Sequence, residues 1–463
     1  VMANNYKSYG THMYFRTTYP GQFVHAQTEV ISMRFELLHP ADQLVMIMDR
    51  IYHYGMTTTS GGNLSIMDSN GDIWITPSGI DKGSLTRNDM ICVKPDGTQI
   101  GIHKPSVELP FHTDIYKKRP DVRAILHAHP PTLVAFSLAR KIPNTMLLPS
   151  TSQICGKISM AKYEVPGSKL LGQYISSEFA KGYNTVMLEN HGVVCGAKDL
   201  FHAFMAFETL DYAGRLEVNA RRLGKITELT PDQVAQDSYG VHPALNEFVE
   251  TAPSSEECAV RRDMTKMIHR CYDQYLFNST QGTYSMRLSD GSFVITPHMK
   301  DRKYIEPEDL VRVKDGMCEA GKVPSRSVLL HQEIYATHPY VNSIIVAHPP
   351  AIMAFACTDA TFDSRTIPES YINLIDVKRV PYASCNTDVK GTAAAITRRS
   401  PTLIVDNQCA IVTGATMLNA FDRLELLEYS AKAYIDTCNI GDIINISDKE
   451  VDVIEEAFNL KNL

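Results

Sequence analysis

The chain has 463 residues, of which 44% are hydrophobic, 21% charged and 8% aromatic. This is an ordinary globular balance that excludes collagen-like, low-complexity and wholly disordered chains, and at about 150 residues per domain it predicts roughly three domains, with two or four also open. A formal charge of −7, a pI near 6.2 and no Lys/Arg-rich run argue against nucleic acid as a partner, and no window approaches about 18 uninterrupted apolar residues, so no membrane span is expected.

Val1 to Phe23 is polar and Tyr-rich, without the basic start and apolar core of a signal peptide. We expect an N-terminal extension over 1–38. Leu44, Ile47, Met48 and Ile51 then follow helical spacing. Short β-rich runs come next, Asp72 to Thr76 and Ile91 to Lys94, with a turn at Asp96-Gly97. A helix is expected over Val107 to Lys118, followed by an apolar run from Val122 to Leu126. Thr185 to Leu188 is a further strand candidate, and a long helix runs roughly from Leu200 to Leu223. The ten cysteines are scattered with no CxxC pair, which argues against zinc ribbons and thioredoxin-type centres and favours a reducing, cytoplasmic setting.

Three places in this first half carry chemistry. His127-Ala128-His129 closes the Val122 run, and alternation along a strand puts both imidazoles on one face. His191 follows Glu189-Asn190 at the mouth of the later strand. Glu108 lies near the start of the helix before the HxH strand. Three neutral imidazoles with one position left over suit a catalytic zinc, and imidazole also suits other late divalent metals. Each signal alone has a plainer reading: a strand pair, a turn histidine before Gly192, or an acid favoured by a helix dipole.

The chain then repeats itself at a spacing of about 220 residues. Ile73-Trp74-Ile75-Thr76-Pro77 returns as Phe293-Val294-Ile295-Thr296-Pro297, Asp89-Met90 as Asp309-Leu310, and Pro105-Ser106 as Pro324-Ser325. The pattern H-x-x-I-Y-x-x-x-P-x-V runs from His112 to Val122 and again from His331 to Val341. Ala128-His129-Pro130-Pro131 matches Ala347-His348-Pro349-Pro350, and Glu189-Asn190-His191 matches Asp406-Asn407-Gln408. The period is too long for a solenoid. We therefore expect two homologous α/β sandwich domains, 39–224 and 256–463, joined by a linker at 225–255 that is rich in turn residues. At the positions of Glu108, His127 and His191 the second copy has Ser327, Val346 and Gln408, and only His348 survives. That is the pattern of one working site and one retired copy.

Ser60-Gly61-Gly62-Asn63-Leu64-Ser65, Ile75-Thr76-Pro77-Ser78-Gly79, Pro105-Ser106-Val107-Glu108, His127-Ala128-His129 and Asn190-His191-Gly192 together resemble the class II aldolase/adducin family. The resemblance covers roughly 40–220, with a degenerate copy over roughly 256–440. It implies three-layer α/β/α domains with a mainly antiparallel central sheet. It also implies one zinc per chain on His127, His129 and His191, with Glu108 as acid/base on or near the metal. The phosphate of a ketose phosphate, or the anionic group of a related acidic sugar, would be held by Gly62, Asn63, Ser78, Gly79 and Ser106. The implied activity is retro-aldol cleavage through a metal-stabilised enediolate; epimerase, dehydratase and decarboxylase chemistry and a non-catalytic adducin-like assembly role stay open. Val107 stands where the family pattern has a second serine, which removes one phosphate contact. Ring assembly in the family, with a tyrosine donated by the neighbour, suggests a dimer forming a pseudo-fourfold ring. Pro143 to Leu148 carries no tyrosine, whereas the matching Pro368 to Asn373 has Tyr371, so Tyr371 is the expected proton donor to the first-domain site.

Overall fold

Ala124–Ala128 is buried along its whole length, and its alternation divides the first domain's core in two. Ala124, Leu126 and Ala128 join Leu44, Ile47 and Met48 of helix Pro40–His53 and Phe204 and Phe207 of helix Leu200–Leu223. Ile125 joins Phe111 and Ile115 of helix Leu109–Lys118 and Ile175 and Phe179 of helix Lys169–Ala180. Burying both faces of one sheet under helices gives three layers. The computed structural model describes residues 35–463 except 238, 250 and 251; most of the extension expected over 1–38 therefore lies outside the described residues.

The first sheet runs in the spatial order Gln99–Ile100, Ile91–Val93, Ile73–Ile75, Asn63–Met67, Ala124–Ala128, Val193–Ala197, Thr185–Leu188, Ile158–Ala161. It is antiparallel except for the final pair. The second sheet repeats this plan, with Ser343–Ala347 and Thr283–Arg287 at its centre. The register is repeated too: Asn63 lies opposite His127, and Thr283 opposite Val346. The fold is thus two α/β sandwich domains, as the repeat predicts and within the range that chain length allows.

Segment 225–255 is more than a tether. Ile226 bridges Thr358, Pro231–Gln236 is helical, and Glu247–Phe248 adds a parallel strand to the edge of the second sheet beside Met317–Glu319. Helix Leu200–Leu223, capped by Asp199 accepting from the His202 amide at 2.8 Å, explains its own broad apolar surface. Its Phe204 and Phe207 belong to the first core, while Tyr212, Leu216 and Ala220 pack into the core of the second domain. A helix that is apolar on most sides is a buried one, and this one is shared between the domains.

The same junction holds a buried charge cluster. Arg50 donates from Nε to the Tyr272 hydroxyl at 2.6 Å and from Nη1 and Nη2 to Asp301 at 2.6 and 3.0 Å. Glu208 stands 3.9 Å from the guanidinium and accepts from Tyr272. The surrounding anions outweigh the cost of burying the guanidinium and hold Arg50 firmly charged.

Candidate metal centre and active site

Glu108, His112 and Tyr116 are spaced i, i+4, i+8 along the start of helix Leu109–Lys118, so they share one stripe. Asn63 and Ser65 on one strand, and His127 on its neighbour, face that stripe across the sheet. Period-four and period-two patterns therefore meet to make a polar row inside an apolar layer. Ser65 Oγ lies 2.6 Å from His112 Nδ1 and 2.7 Å from the Tyr116 hydroxyl. His112 Nε2 lies 2.5 Å from Asn63 Oδ1, and Asn63 Nδ2 donates to Glu108 Oε2 at 2.7 Å.

The directions follow from chemistry. Burial pushes His112 down to about 3, so the ring is neutral and carries one N–H. Asn63 Oδ1 can only accept, so Nε2 donates to it and Nδ1 accepts from Ser65. The Asn63 amide is thereby fixed with its NH₂ toward Glu108.

At the far end of this row the three sequence-predicted imidazoles come together. Their ligand nitrogens lie within 4.8 Å of one another, with His127 Nε2 and His129 Nε2 3.0 Å apart. His127 Nδ1 donates to the Val193 carbonyl at 3.0 Å, which fixes the tautomer and leaves Nε2 directed at its partners. Burial, reinforced by neighbouring imidazoles, pushes His127 and His129 down to about 3; burial lowers His191 as well. Neutral imidazoles are the form that binds metal. Glu108 Oε2 lies 3.4 Å from His127 Nε2, and its Oε1 is buried with no hydrogen-bond partner among the described residues. An orphaned carboxylate oxygen beside three converging imidazoles fits a divalent cation. Although Glu108 sits at the helix N-cap, its side chain makes no capping bond.

Close approach of the backbone makes this packing possible. A Cβ on Gly192 would lie 2.5 Å from both the Ala128 carbonyl oxygen and His129 Cδ2. A Cβ on Gly62, at φ +73°, would lie 2.7 Å from the His127 carbonyl oxygen. Only glycine fits either place.

Of the residues expected to grip an anion, Gly62 and Asn63 lie against the His127 strand, and Ser106 Oγ accepts from the Glu108 amide at 3.3 Å. The Ser78 amide donates to the Lys104 carbonyl at 3.0 Å and the Ser106 amide to the Thr76 carbonyl at 3.2 Å, drawing the two turns together. The Asn63 side chain is engaged by His112 through Oδ1 and by Glu108 through one N–H of Nδ2, which leaves its second N–H. Gly79, at φ +71°, opens onto space. Lys82, which the sequence reading passed over, is 3% exposed and donates from Nζ to the Pro77 carbonyl at 2.5 Å; burial lowers it to about 8. The signal was the repeat of Asp81-Lys82 as Asp301-Arg302. His112 was likewise visible only as part of a repeated block.

Tyr371 is not brought to the histidines. Its ring packs with Ile375 and Leu460, and its hydroxyl donates to Glu455 Oε1 at 2.8 Å. Within one chain the contact runs the opposite way. The first-domain segment ending in Leu147 and Leu148 packs into the second domain's core, where Asn407 Nδ2 donates to the Leu147 carbonyl at 2.9 Å. Within one chain, helix Asp448–Ala457 supplies the carboxylate that accepts from the Tyr371 hydroxyl.

The profile of the class II aldolase and adducin N-terminal domain matches residues 42–218 and again 262–435. Over 177 residues the chain is 32% identical to the 3-oxo-tetronate 4-phosphate decarboxylase of Haemophilus influenzae, an alignment covering 37% of this chain and 84% of that protein. Over 172 residues it is 34% identical to the L-fuculose phosphate aldolase of Methanococcus maripaludis, covering 37% and 89%. Over 196 residues it is 29% identical to the 5-deoxy-D-ribulose 1-phosphate aldolase of Bacillus thuringiensis, covering 42% and 91%. Each alignment spans about one domain of this chain and most of the relative. The chain belongs to the class II aldolase and adducin N-terminal domain family and carries that domain twice.

Proposed function

We propose that the first domain is a metal-dependent lyase that cleaves a carbon–carbon bond of a ketose phosphate, or of a related acidic sugar, by retro-aldol chemistry. The observation that carries this reading is the convergence of three neutral imidazoles on one volume beside the orphaned oxygen of Glu108. Similarity to two sugar-phosphate aldolases supports the substrate class. His127, His129 and His191 would hold one divalent ion per chain, with zinc the best match to a three-histidine set. When bound, the ion supplies Lewis acidity toward the substrate's carbonyl and hydroxyl oxygens. Glu108 carries the proton between substrate oxygen or carbon and solvent, and Asn63 holds its Oε2 so that Oε1 faces the reacting group. Gly62, Ser78, Gly79 and Ser106, with Lys82 beneath them, receive the anionic end.

Similarity to a decarboxylase acting on a 3-oxo-tetronate 4-phosphate favours one second reading. The same residues would then release carbon dioxide from a phosphorylated 3-oxo acid. Two assays on the purified chain separate the readings: aldehyde release from a panel of ketose 1-phosphates, and carbon dioxide release from phosphorylated 3-oxo acids. Metal content, measured without chelator or metal-affinity tag, tests both together. About one zinc per chain, lost in His127→Ala/His129→Ala, is expected; no metal even after zinc is added would leave an assembly role in front.

We also infer a homodimer, closing as a pseudo-fourfold ring. In each chain the second-domain pocket is lined by Tyr239 and backed by Asp237, both from the segment that follows the first domain. The equivalent segment after the second domain carries Ile440 and Ile444, 85% and 93% exposed. A second copy offers it a first-domain site. Light scattering should give twice the chain mass of 51.7 kDa, and Ile444→Asp should shift the protein toward monomer.

A further inference from the structure

The second domain encloses a pocket where the first has its histidines. It has a volume of about 70 Å³, several times the ~10–15 Å³ that admits one water. Repeat register identifies what changed. Gly282 stands for Gly62, Ser325 for Ser106, and Met299, at φ +53°, keeps the left-handed turn of Gly79. Val346 and Gln408 replace two imidazoles, and Ser327 replaces the carboxylate of Glu108. Gly282 and Ser325 keep two positions of the anion end, while His348 alone remains of the three imidazoles and the carboxylate.

The charge balance of this pocket is unfinished. Arg302 is 2% exposed and lines it. Its Nε donates to the Gly282 carbonyl at 2.8 Å and its Nη1 to the Lys300 carbonyl at 2.6 Å. No carboxylate among the described residues forms an ion pair with it. The adjacent Asp301 is engaged by Arg50, and Asp237 is engaged by Arg326 and by Gln408 Nε2 at 3.3 Å. Burial lowers Arg302 to about 10. His298 on the pocket wall is held down at about 4 by burial and by its basic neighbours His242, Arg302 and Arg326. Gln408 is 7% exposed, and its Oε1 has no partner; the same is true of His348 Nδ1. A hydroxyl row completes the wall, with Thr283 Oγ1 2.6 Å from Ser325 Oγ and Ser325 Oγ 3.2 Å from Ser327 Oγ. A buried cation without a counter-charge is costly, and a row of three hydroxyls joined by two hydrogen bonds keeps one proton at its end to give to an oxyanion.

We propose that this pocket is a metal-independent binding site for a phosphate group, with Arg302 as its charge partner and the Thr283–Ser325–Ser327 hydroxyl row as a donor. The ligand also meets Tyr239, whose amide donates to Gln153 Oε1 of the first domain at 2.7 Å, which gives the pocket a physical link to the catalytic half.

Calorimetry on the full-length protein in EDTA tests this, with inorganic phosphate and glycerol 3-phosphate as separate probes. To remove the first-domain anion end, the background carries Ser78→Ala and Ser106→Ala. Saturable binding is expected in that background, with at least a tenfold loss on adding Arg302→Met and partial recovery with Arg302→Lys. A tighter fit for glycerol 3-phosphate identifies a phosphate ester as the ligand, and equal or tighter binding of inorganic phosphate identifies the free anion. A thermal scan guards against misfolding: Arg302→Met should melt no lower than the parent without phosphate, and phosphate should raise the melting temperature of the parent alone. Absence of binding in the EDTA-treated background, or binding unchanged by Arg302→Met, overturns the proposal. Both outcomes are read without metal and without turnover, so neither bears on the lyase reading.

Discussion

Asn63 and Glu108 are joined by a 2.7 Å hydrogen bond from Nδ2 to Oε2, and that bond determines which carboxylate oxygen is left for chemistry. It is the last link of a row that begins at Tyr116 and passes through Ser65 and His112. Partners of this kind typically change activity or metal affinity 10–100-fold when removed. Asn63→Ala should therefore lower kcat by about 10–100-fold while zinc per chain stays near the parent value. A parallel loss of zinc would reassign Asn63 to the metal site.

His112 acts one step further back. His112→Phe keeps the ring volume beside Phe111, with which His112 stacks at 4.4 Å, but leaves the Asn63 amide free to turn over. The expected result is a fall in kcat with KM little changed, and a circular dichroism spectrum like the parent's. His112→Gln, which can still donate to Asn63, should recover part of the loss.

Gly192→Ala places a methyl 2.5 Å from the Ala128 carbonyl oxygen and His129 Cδ2, so either the strand end or the imidazole must move. Metal titration should show at least a tenfold weaker site, with the second domain's melting behaviour unaltered. Retention of parent affinity would mean that the turn at Asn190, already at φ +52°, absorbs the strain.

Arg50→Met tests the junction. It removes the cation from between Asp301 and Glu208 and leaves the buried Glu208 and the half-buried Asp301 without it. Breaking a buried pair in this way costs about 3–5 kcal/mol, read as a lower urea midpoint and a lower melting temperature. The double variant Arg50→Met/Asp301→Leu should recover part of that stability.

His331 gives a pH test away from the metal centre. Burial holds it at about 3, and its Nε2 has no partner. An unfolded histidine titrates near ~6.5, so the folded value is depressed and the unfolded state binds the extra proton. Stability is then independent of this group above pH ~6.5 and falls as pH drops toward 3, by about 1.4 kcal/mol per pH unit per such group. Urea unfolding from pH 7.5 to pH 5 should show that slope, and His331→Gln should flatten it by about one proton. An unchanged slope would exclude His331 as a contributor.

The sequence by itself determined the duplication, the helix and strand types and the three histidines. These reside in local patterns: alternation along Ala124–Ala128, turn residues at Gly192, and a repeat that survives as matched blocks. The long helix Leu200–Leu223 and the strand Thr185–Leu188 lie where periodicity puts them. The helix read as starting at Val107 begins at Leu109 instead, because a chain position alone does not say whether an acid caps a helix or faces a site.

Tertiary structure alone decided the rest. Asn63 belongs to the carboxylate because strand register sets it opposite His127 and helix phase sets Glu108 above it, and neither register nor phase is written in a single segment. Tyr371 meets Glu455 because helix Asp448–Ala457 folds back against it, a contact between segments far apart in the chain. Lys82 and Arg302 read as ordinary cations until burial removes water from them. Which carboxylates then reach them depends on how the two domains pack, and Asp301, turned toward Arg50, leaves Arg302 for an anion from solution.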